Sequence, residues 1–278
     1  MRATRSIESI LKKDRALVLT GVLAVAALAW AYLFYLAWDM RQDMSQGMNA
    51  GSMPGGMSLA MTQVRSWTGV DFLLMFLMWA AMMTAMMVPT AAPMILTFAT
   101  INRKRLEQQQ PYVPTVVFLL GYLLVWSAFA AAATAAQWGL NWAALLSPMM
   151  ASSSPFLGGG LLLAAGIFQW SSLKYACLSH CRTPLGFIMT EWREGSKGAL
   201  TMGLRHGAFC LGCCWVLMAL LFVLGVMNLL WIAALAGFVL IERIAPAGHW
   251  VSRVSGVAFL LWGTWMVVAA LVYVGAKR

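Results

Sequence analysis

Long runs without a charged residue constrain this chain more than any other feature of its sequence. From His206 to Ile241 there is no Asp, Glu, Lys or Arg over 36 residues, and the whole chain is 62% hydrophobic and only 10% charged. A helix that crosses about 30 Å of hydrocarbon needs about 20 apolar residues, and a soluble domain has no use for so many such runs. The sequence therefore predicts an all-α, polytopic membrane helical bundle.

Hydropathy predicts about seven transmembrane helices, with six as the smaller count. The predicted spans are 16–38, 71–100, 112–138, 157–176, 204–224, 227–242 and 253–274. The fifth and sixth divide the long uncharged run, because Gly225 and Asn228 supply turn chemistry near its middle. The first is longer than a secretory apolar core and is predicted to stay uncleaved, with "ALA" at 27–29 as a cleavage alternative. We expect 1–278 to form a single transmembrane domain, in which 39–70 is a Met-rich periplasmic loop.

The distribution of basic residues predicts the orientation of the chain. The net charge is +10, and an excess of this kind in a membrane protein marks cytoplasmic loops rather than nucleic-acid binding. With a cytoplasmic N-terminus, the inner segments hold fifteen Lys and Arg and the outer segments four. We therefore expect a multi-pass protein of the bacterial cell inner membrane with no nucleic-acid partner. Asp71, Lys174, Glu242 and Arg243 fall near predicted span ends, so the sequence places no acidic residue deep in the membrane.

A polar segment after the first span is unusually rich in methionine. "MRQDMSQGMNAGSMPGGMSLAM" begins at Met40 and ends at Met61, and its central methionines are Met44, Met48, Met53 and Met57. Thioether is a soft, neutral ligand that suits Cu(I) and persists where a thiol would form disulfides. The segment predicts an outer copper-capture site. The alternative is a flexible linker or a short amphipathic helix on the membrane surface.

The second predicted span concentrates methionine in "MWAAMMTAMMVPTAAPM", residues 78–94. Spacings of four place these methionines on two adjacent helical stripes, and two prolines predict a kink. The candidate ligands are Met78, Met82, Met83, Met86 and Met87. The alternative is ordinary packing, since methionine fills irregular interfaces well.

Soft ligands also form a column in "RHGAFCLGCCWVLM", residues 205–218. His206, Cys210, Cys214 and Met218 are each four apart, and Cys213 flanks their line. Thiolates bind Cu(I), which accepts two or three such ligands, and binding displaces the thiol proton. Zinc fits the ligand types, but one straight helix cannot arrange four ligands tetrahedrally around one ion. The alternative is that the cysteines are small buried hydrophobic residues.

A second cysteine group, "YACLSHCRTP" at 175–184, lies at the predicted inner end of the fourth span. Cys177 and Cys181 are four apart, and His180 lies between them. These residues are candidate metal ligands, ordinary interface residues or catalytic thiols favoured by nearby basic groups. The five cysteines fall in two clusters, which indicates reduced thiols rather than a disulfide framework.

Several of these motifs together resemble a known family. "MWAAMMTAMMVPTAAPM", "CLSHCRTPLGF", "HGAFCLGCCWVLMALLFVLGVMNLLW" and "ER" at 242–243 are similar to the predicted metal-binding integral membrane proteins, from about residue 70 to the C-terminus. Some members of that family are regarded as copper chaperones that supply a polyphenol oxidase. The resemblance implies copper handling for Cys210, Cys213 and Cys214, with His206 and the methionines as further candidates.

The combined hypothesis is a membrane Cu(I)-binding protein that captures copper and delivers it to a copper enzyme or across the membrane. The expected partners are membrane lipid and a membrane-bound or periplasmic copper-requiring enzyme, and an oligomer or a place in a larger complex stays open. No enzymatic activity is expected. Two alternatives remain: a non-metal accessory subunit of a membrane complex, and a membrane thiol oxidoreductase using Cys177/Cys181 or Cys213/Cys214.

Overall fold

The protein is an all-α bundle in a computed structural model that describes residues 2–50, 68–109, 113–143, 145 and 154–277. Ten helices follow one another along these residues, and no strand occurs within them. Their bounds are α1 Arg2–Ala50, α2 Gly69–Glu107, α3 Thr115–Trp142, α4 Pro155–Phe168, α5 Ser172–Arg182, α6 Pro184–Glu191, α7 Gly195–Ala219, α8 Leu221–Leu224, α9 Leu229–Ile244 and α10 Gly248–Gly275. The predicted class, a helical membrane bundle, is confirmed.

Five helical segments in the described part of the chain are long and apolar enough to cross a membrane. They are Ala16–Asp39, Gly69–Glu107, Thr115–Trp142, Gly195–Leu224 and Gly248–Gly275. The pair α4 and α5 passes the same test together but bends by 65°, which gives six at most. The predicted count of seven is not confirmed, because α9 has only 16 residues and is shorter than a typical span. The cytoplasmic N-terminus remains a prediction.

The first helix is much longer than its apolar stretch. Helix α1 has 49 residues and continues to Ala50, so the first part of the predicted loop is helical backbone. Residues 51–67, which include Met53 and Met57, lie outside the described residues, as do the side chains of Met44 and Met48. The outer methionine site therefore stays a sequence prediction.

Helix α2 carries the methionine stripes into the centre of the bundle. It begins with a capping box in which Thr68 and Asp71 satisfy each other's backbone N–H groups. The helix continues through Pro89 and Pro93 and packs against α1 on one side and α3 on another. Its buried face consists mainly of Met, Ala and Val, so the helix supplies the middle of the core.

The break between α4 and α5 is stabilised by a buried polar network. Ser171 caps α5 by accepting a hydrogen bond from the Lys174 N–H. The Lys174 ammonium pairs with Glu242 at 2.8 Å, and both side chains are almost fully buried. Gln169 donates to the same carboxylate at 3.1 Å, and Ser252 donates to it at 2.6 Å. Glu242 lies near the end of α9, as the sequence predicts, and it is buried within the bundle because a cation and two neutral donors compensate for its charge.

A sharp turn returns the chain from α7 to α9. Gly225 has φ +92, a conformation that glycine adopts without strain, and Asn228 precedes α9. Cys210 lies 15 residues before Gly225, and Arg243 lies 15 residues after Asn228. The two helices therefore bring these residues to the same level, as the predicted helical hairpin requires.

Candidate metal site

Three cysteines of α7 lie in the core of the bundle. Cys210, Cys213 and Cys214 are at most 2% exposed. The thiols of Cys213 and Cys214 donate to the Cys210 carbonyl at 3.1 Å and 3.0 Å. This back-bonding follows from the three- and four-residue spacing, which places each sulfur over the preceding helical turn. The three sulfurs thus gather at one level of the helix.

The Arg243 guanidinium of α9 faces these sulfurs. Its Nη2 lies 2.9 Å from Cys210 Sγ, 3.5 Å from Cys213 Sγ and 3.8 Å from Cys214 Sγ. Its Nη1 donates to Thr90 Oγ1 of α2 at 2.7 Å. Among the residues that the structure describes, no carboxylate forms an ion pair with it. A buried cation without an anion is costly in free energy. Negative charge on the neighbouring sulfurs would therefore stabilise the Arg243 guanidinium.

A tyrosine of α3 also contacts the cysteine cluster. The Tyr122 hydroxyl donates to the Met87 carbonyl at 2.9 Å and lies 3.0 Å from Cys210 Sγ. Together with Arg243 and Thr90, it connects α2, α3, α7 and α9 around one sulfur. Cys210 is therefore the residue on which four helices converge.

The predicted methionine ligands of α2 and α7 lie in the same core as the cysteines. None of them is more than 4% exposed, so they face the interior of the bundle and not lipid. They are Met78, Met82, Met83, Met86, Met87 and Met218. Their burial meets a necessary condition for a copper path, and it equally satisfies core packing.

His206 is buried one turn before Cys210 without any hydrogen bond to its ring. Both ring nitrogens lack a partner, although the side chain is only 1% exposed. The imidazole stacks with Phe118 and Tyr122, at centroid distances of 6.1 Å and 5.6 Å. A buried polar group without a partner is rare and calls for a reason. A role of the imidazole as a metal ligand is one such reason.

Helix α5 brings the second cysteine group against α7. Cys181 packs against the buried core that contains the α7 cysteines. Cys177 Sγ packs over Gly212, where an added Cβ would lie 2.7 Å from the sulfur. His180 instead stacks on Phe209 at 4.1 Å, and its Nδ1 bonds to the Ala176 carbonyl. The two cysteines thus adjoin the α7 cluster, whereas the described contacts of His180 are with Phe209 and its own helix.

Sequence reasoning missed Tyr122, Thr90 and the burial of Arg243. The charge of Arg243 was the available signal, because a cation at the edge of a 36-residue uncharged run needs a partner inside the bundle. Tyr122 and Thr90 carry no such signal, since one hydroxyl in an apolar helix is unremarkable in sequence.

The arrangement limits the metals that could bind. Within the described ranges, no three or more His, Cys, Asp or Glu side chains form a group suited to hold a metal ion. A closed zinc site of four such ligands is therefore not preformed there. A soft ion with few ligands, held by two sulfurs of α7 or by sulfurs of neighbouring helices, is compatible with this geometry.

Comparison with known proteins gives one match. A family model described as "Copper chaperone" matches residues 76–266, which include every residue of the cluster described above. Neither the curated proteins nor the solved structures contain a match to the chain.

Proposed function

Because the chain belongs to the PpoB2 copper chaperone family, we propose that it is a bacterial inner-membrane protein that binds Cu(I) and passes it to a copper-requiring enzyme. The family membership agrees with the resemblance inferred from the sequence motifs. Copper is the cargo of such a protein and not a resident cofactor. The proposed ligands are Cys210, Cys213 and Cys214, with His206 and Met218 along the same helix.

The contact of Arg243 Nη2 with three buried sulfurs is the observation that carries this proposal. Two thiolates around one Cu(I) ion have a net charge of −1, which the guanidinium would neutralise. At an effective dielectric of about 20, unit charges about 4 Å apart interact by about 4 kcal/mol, so this compensation is substantial. A site built only for packing would not need a buried cation beside the thiols.

The ligand types favour Cu(I) over harder ions. Thiolate and thioether sulfur bind Cu(I) well, while Mg²⁺ and Ca²⁺ require oxygen ligands. The buried methionines of α2 extend the same soft chemistry away from the cysteines. We infer that copper moves by exchange between such ligands, downhill or driven by a partner, because the sequence carries no nucleotide-binding motif.

Metal content tests the proposal directly. The full chain would be purified from copper-replete cells, and copper per chain would be measured by plasma mass spectrometry. We expect copper in the wild type and the loss of most of it in a Cys210→Ser/Cys213→Ser/Cys214→Ser variant, because the hard hydroxyl is a poor Cu(I) ligand. Ser179→Ala is a matched control, because Ser179 is exposed on α5 and bonds only to its own helix.

Two results would contradict the proposal. Absence of copper from wild-type protein under reducing conditions would support a non-metal accessory role. Equal copper in the wild type and the triple serine variant would move the site away from α7. A thiol oxidoreductase would instead show a reversible disulfide and full function after the α2 methionines are changed to leucine.

A further inference from the structure

The five cysteines of this chain lie on two helices that pack together, α5 and α7. Cys177 and Cys181 are one turn apart on α5, and both pack against the core that contains the α7 cysteines. Gly212 permits the close approach, since any side chain there would collide with Cys177 Sγ. Gly212, which Cys177 contacts, immediately precedes Cys213, and Cys213 belongs to the buried cluster beside Arg243. Cys213 is therefore the buried cysteine next in the chain to the contact with α5.

Exposure increases along this group of sulfurs. Cys210, Cys213 and Cys214 are buried, whereas Cys177 and Cys181 are partly exposed. Arg182 follows Cys181 at the end of α5 and donates to the Ala245 carbonyl at 2.5 Å. The surrounding end of the bundle also carries surface ion pairs, Arg105 with Glu194 and Arg205 with Glu191. The sulfurs thus lead from the core to the polar end.

We propose that Cys177 and Cys181 form a second Cu(I) site, nearer the protein surface, and that copper passes between it and the buried cysteines through Cys213. The inference rests on the proposed function, because it assigns the route by which ions reach and leave the site on α7. A pair of cysteines spaced by one turn and packed beside the helix that carries the buried cysteines offers Cu(I) a change of ligands without free diffusion.

The transfer step is a ligand exchange without any change in oxidation state. An ion held by Cys210 and Cys213 gains a bond to Cys181 Sγ and loses its bond to Cys210 Sγ. The proton that leaves the Cys181 thiol is balanced by the proton that Cys210 regains. In a second exchange the ion gains a bond to Cys177 Sγ and loses its bond to Cys213 Sγ, and the proton that leaves Cys177 is balanced by the one that Cys213 regains. No oxidant or reductant is consumed.

Transfer kinetics separate this route from equilibrium binding. The full chain would be loaded anaerobically with Cu(I) in detergent, and bicinchoninate, a chromophoric Cu(I) chelator, would then be added in excess. We expect Cys181→Ser to keep the copper bound at the α7 site but to release it at least about tenfold more slowly than the wild type. Cys181→Met should restore part of the rate, because thioether is still a soft ligand, and Ser179→Ala should release copper at the wild-type rate.

A second variant keeps the test decisive if Cys181→Ser disturbs folding. Gly212→Ala leaves every cysteine in place but crowds Cys177, and the proposal requires that it also slow release. Wild-type release rates in Cys181→Ser, Cys181→Ala and Gly212→Ala would overturn the second Cu(I) site on α5 while leaving the α7 site intact. Failure of the proposed function itself has a different signature, because no variant and no wild-type sample would then retain copper.

Discussion

The Arg243 guanidinium places a positive charge beside the buried cysteines of α7. Arginine suits this position better than lysine, because its planar fork contacts Thr90 through Nη1 and the sulfurs through Nη2 at the same time. A lysine would offer one compact ammonium and could not hold both helices in this way.

Replacing Arg243 should weaken copper binding, and the effect should be larger when the positive charge is lost than when only the shape of the guanidinium changes. We expect Arg243→Met to lower Cu(I) affinity by at least about tenfold, which is about 1.4 kcal/mol and only a part of the Coulomb interaction available at this distance. Arg243→Lys should fall between that variant and the wild type. Competition with a chromophoric Cu(I) chelator measures the affinity.

Arg253→Met is the matched control for this prediction. Arg253 lies on α10, is exposed and contacts only the Trp250 ring among the described interactions. Its loss should leave the affinity unchanged. Equal affinities in Arg243→Met and wild-type protein would show that the guanidinium does not compensate the charge of the bound site.

Spacing in the sequence predicts part of the site and misses the rest for a physical reason. The four-residue intervals of Cys210, Cys214 and Met218 place them on one face of a helix, and the structure buries that face. Tyr122 and Arg243 act through contacts with residues 88 and 33 positions away, and no local period encodes such pairings. Sequence thus gives the sulfurs, and tertiary packing gives their partners.

At the scale of helices, the close approach of α3 and α7 sets the position of Tyr122 against Cys210. Gly203 and Gly121 face each other, and a Cβ on Gly203 would collide with the Phe118 carbonyl oxygen. The backbones touch there because neither residue has a side chain, as is common where membrane helices cross. Tyr122 lies one residue beyond Gly121, so the distance between α3 and α7 determines how closely its hydroxyl approaches Cys210 Sγ.

Gly203→Ala should therefore disturb the site from a distance. We expect a loss of about 1–3 kcal/mol in stability from overpacking, together with weaker copper binding as α3 and Tyr122 move away. Gly237→Ala on α9 is the control, because an added Cβ there meets nothing within 4 Å. Thermal unfolding in detergent, with and without Cu(I), measures both effects. An unchanged unfolding temperature in Gly203→Ala would contradict this account of the interface.

The break between α4 and α5 is a feature that hydropathy does not show. The sequence predicts one span at 157–176, but the helix ends at Phe168 and restarts at Ser172. The buried Gln169 and the Ser171 cap satisfy the polar groups at the break, with Lys174 and Glu242 beside them. A hydropathy average records the apolar residues on both sides and cannot detect a network whose members come from three helices.

At the scale of the whole molecule, the family match and the methionine-rich segment separate two parts of the chain. The match begins at residue 76, so α1 and the segment after it lie outside the matched region. Helix α1 nonetheless packs against α2, whose methionines line the core. If this segment captures copper, it therefore changes the rate at which copper reaches the buried site and not the amount that the site binds at saturation.

Changing Met44, Met48, Met53 and Met57 together to leucine tests that division. We expect slower copper loading at limiting Cu(I), because the soft ligands are lost, and an unchanged copper content at saturation. Met189→Leu is the control, because Met189 is 80% exposed on α6 and belongs to none of the candidate ligand groups. Loading is followed by copper content over time in membrane vesicles. An unchanged loading rate would remove the capture role from the segment.

The consecutive buried charges of α9 have a consequence for how the protein is made. An unpaired charge in a membrane helix is costly during insertion, although less so near a helix end than at its centre, and a 16-residue helix has few apolar residues to offset two of them. Glu242 becomes tolerable once Lys174 is beside it, and Arg243 once Thr90 and the cysteines are in place. We therefore expect α9 to enter the bilayer after α2, α5 and α7, so that the newly synthesised chain holds its thiols without their cation until assembly is nearly complete.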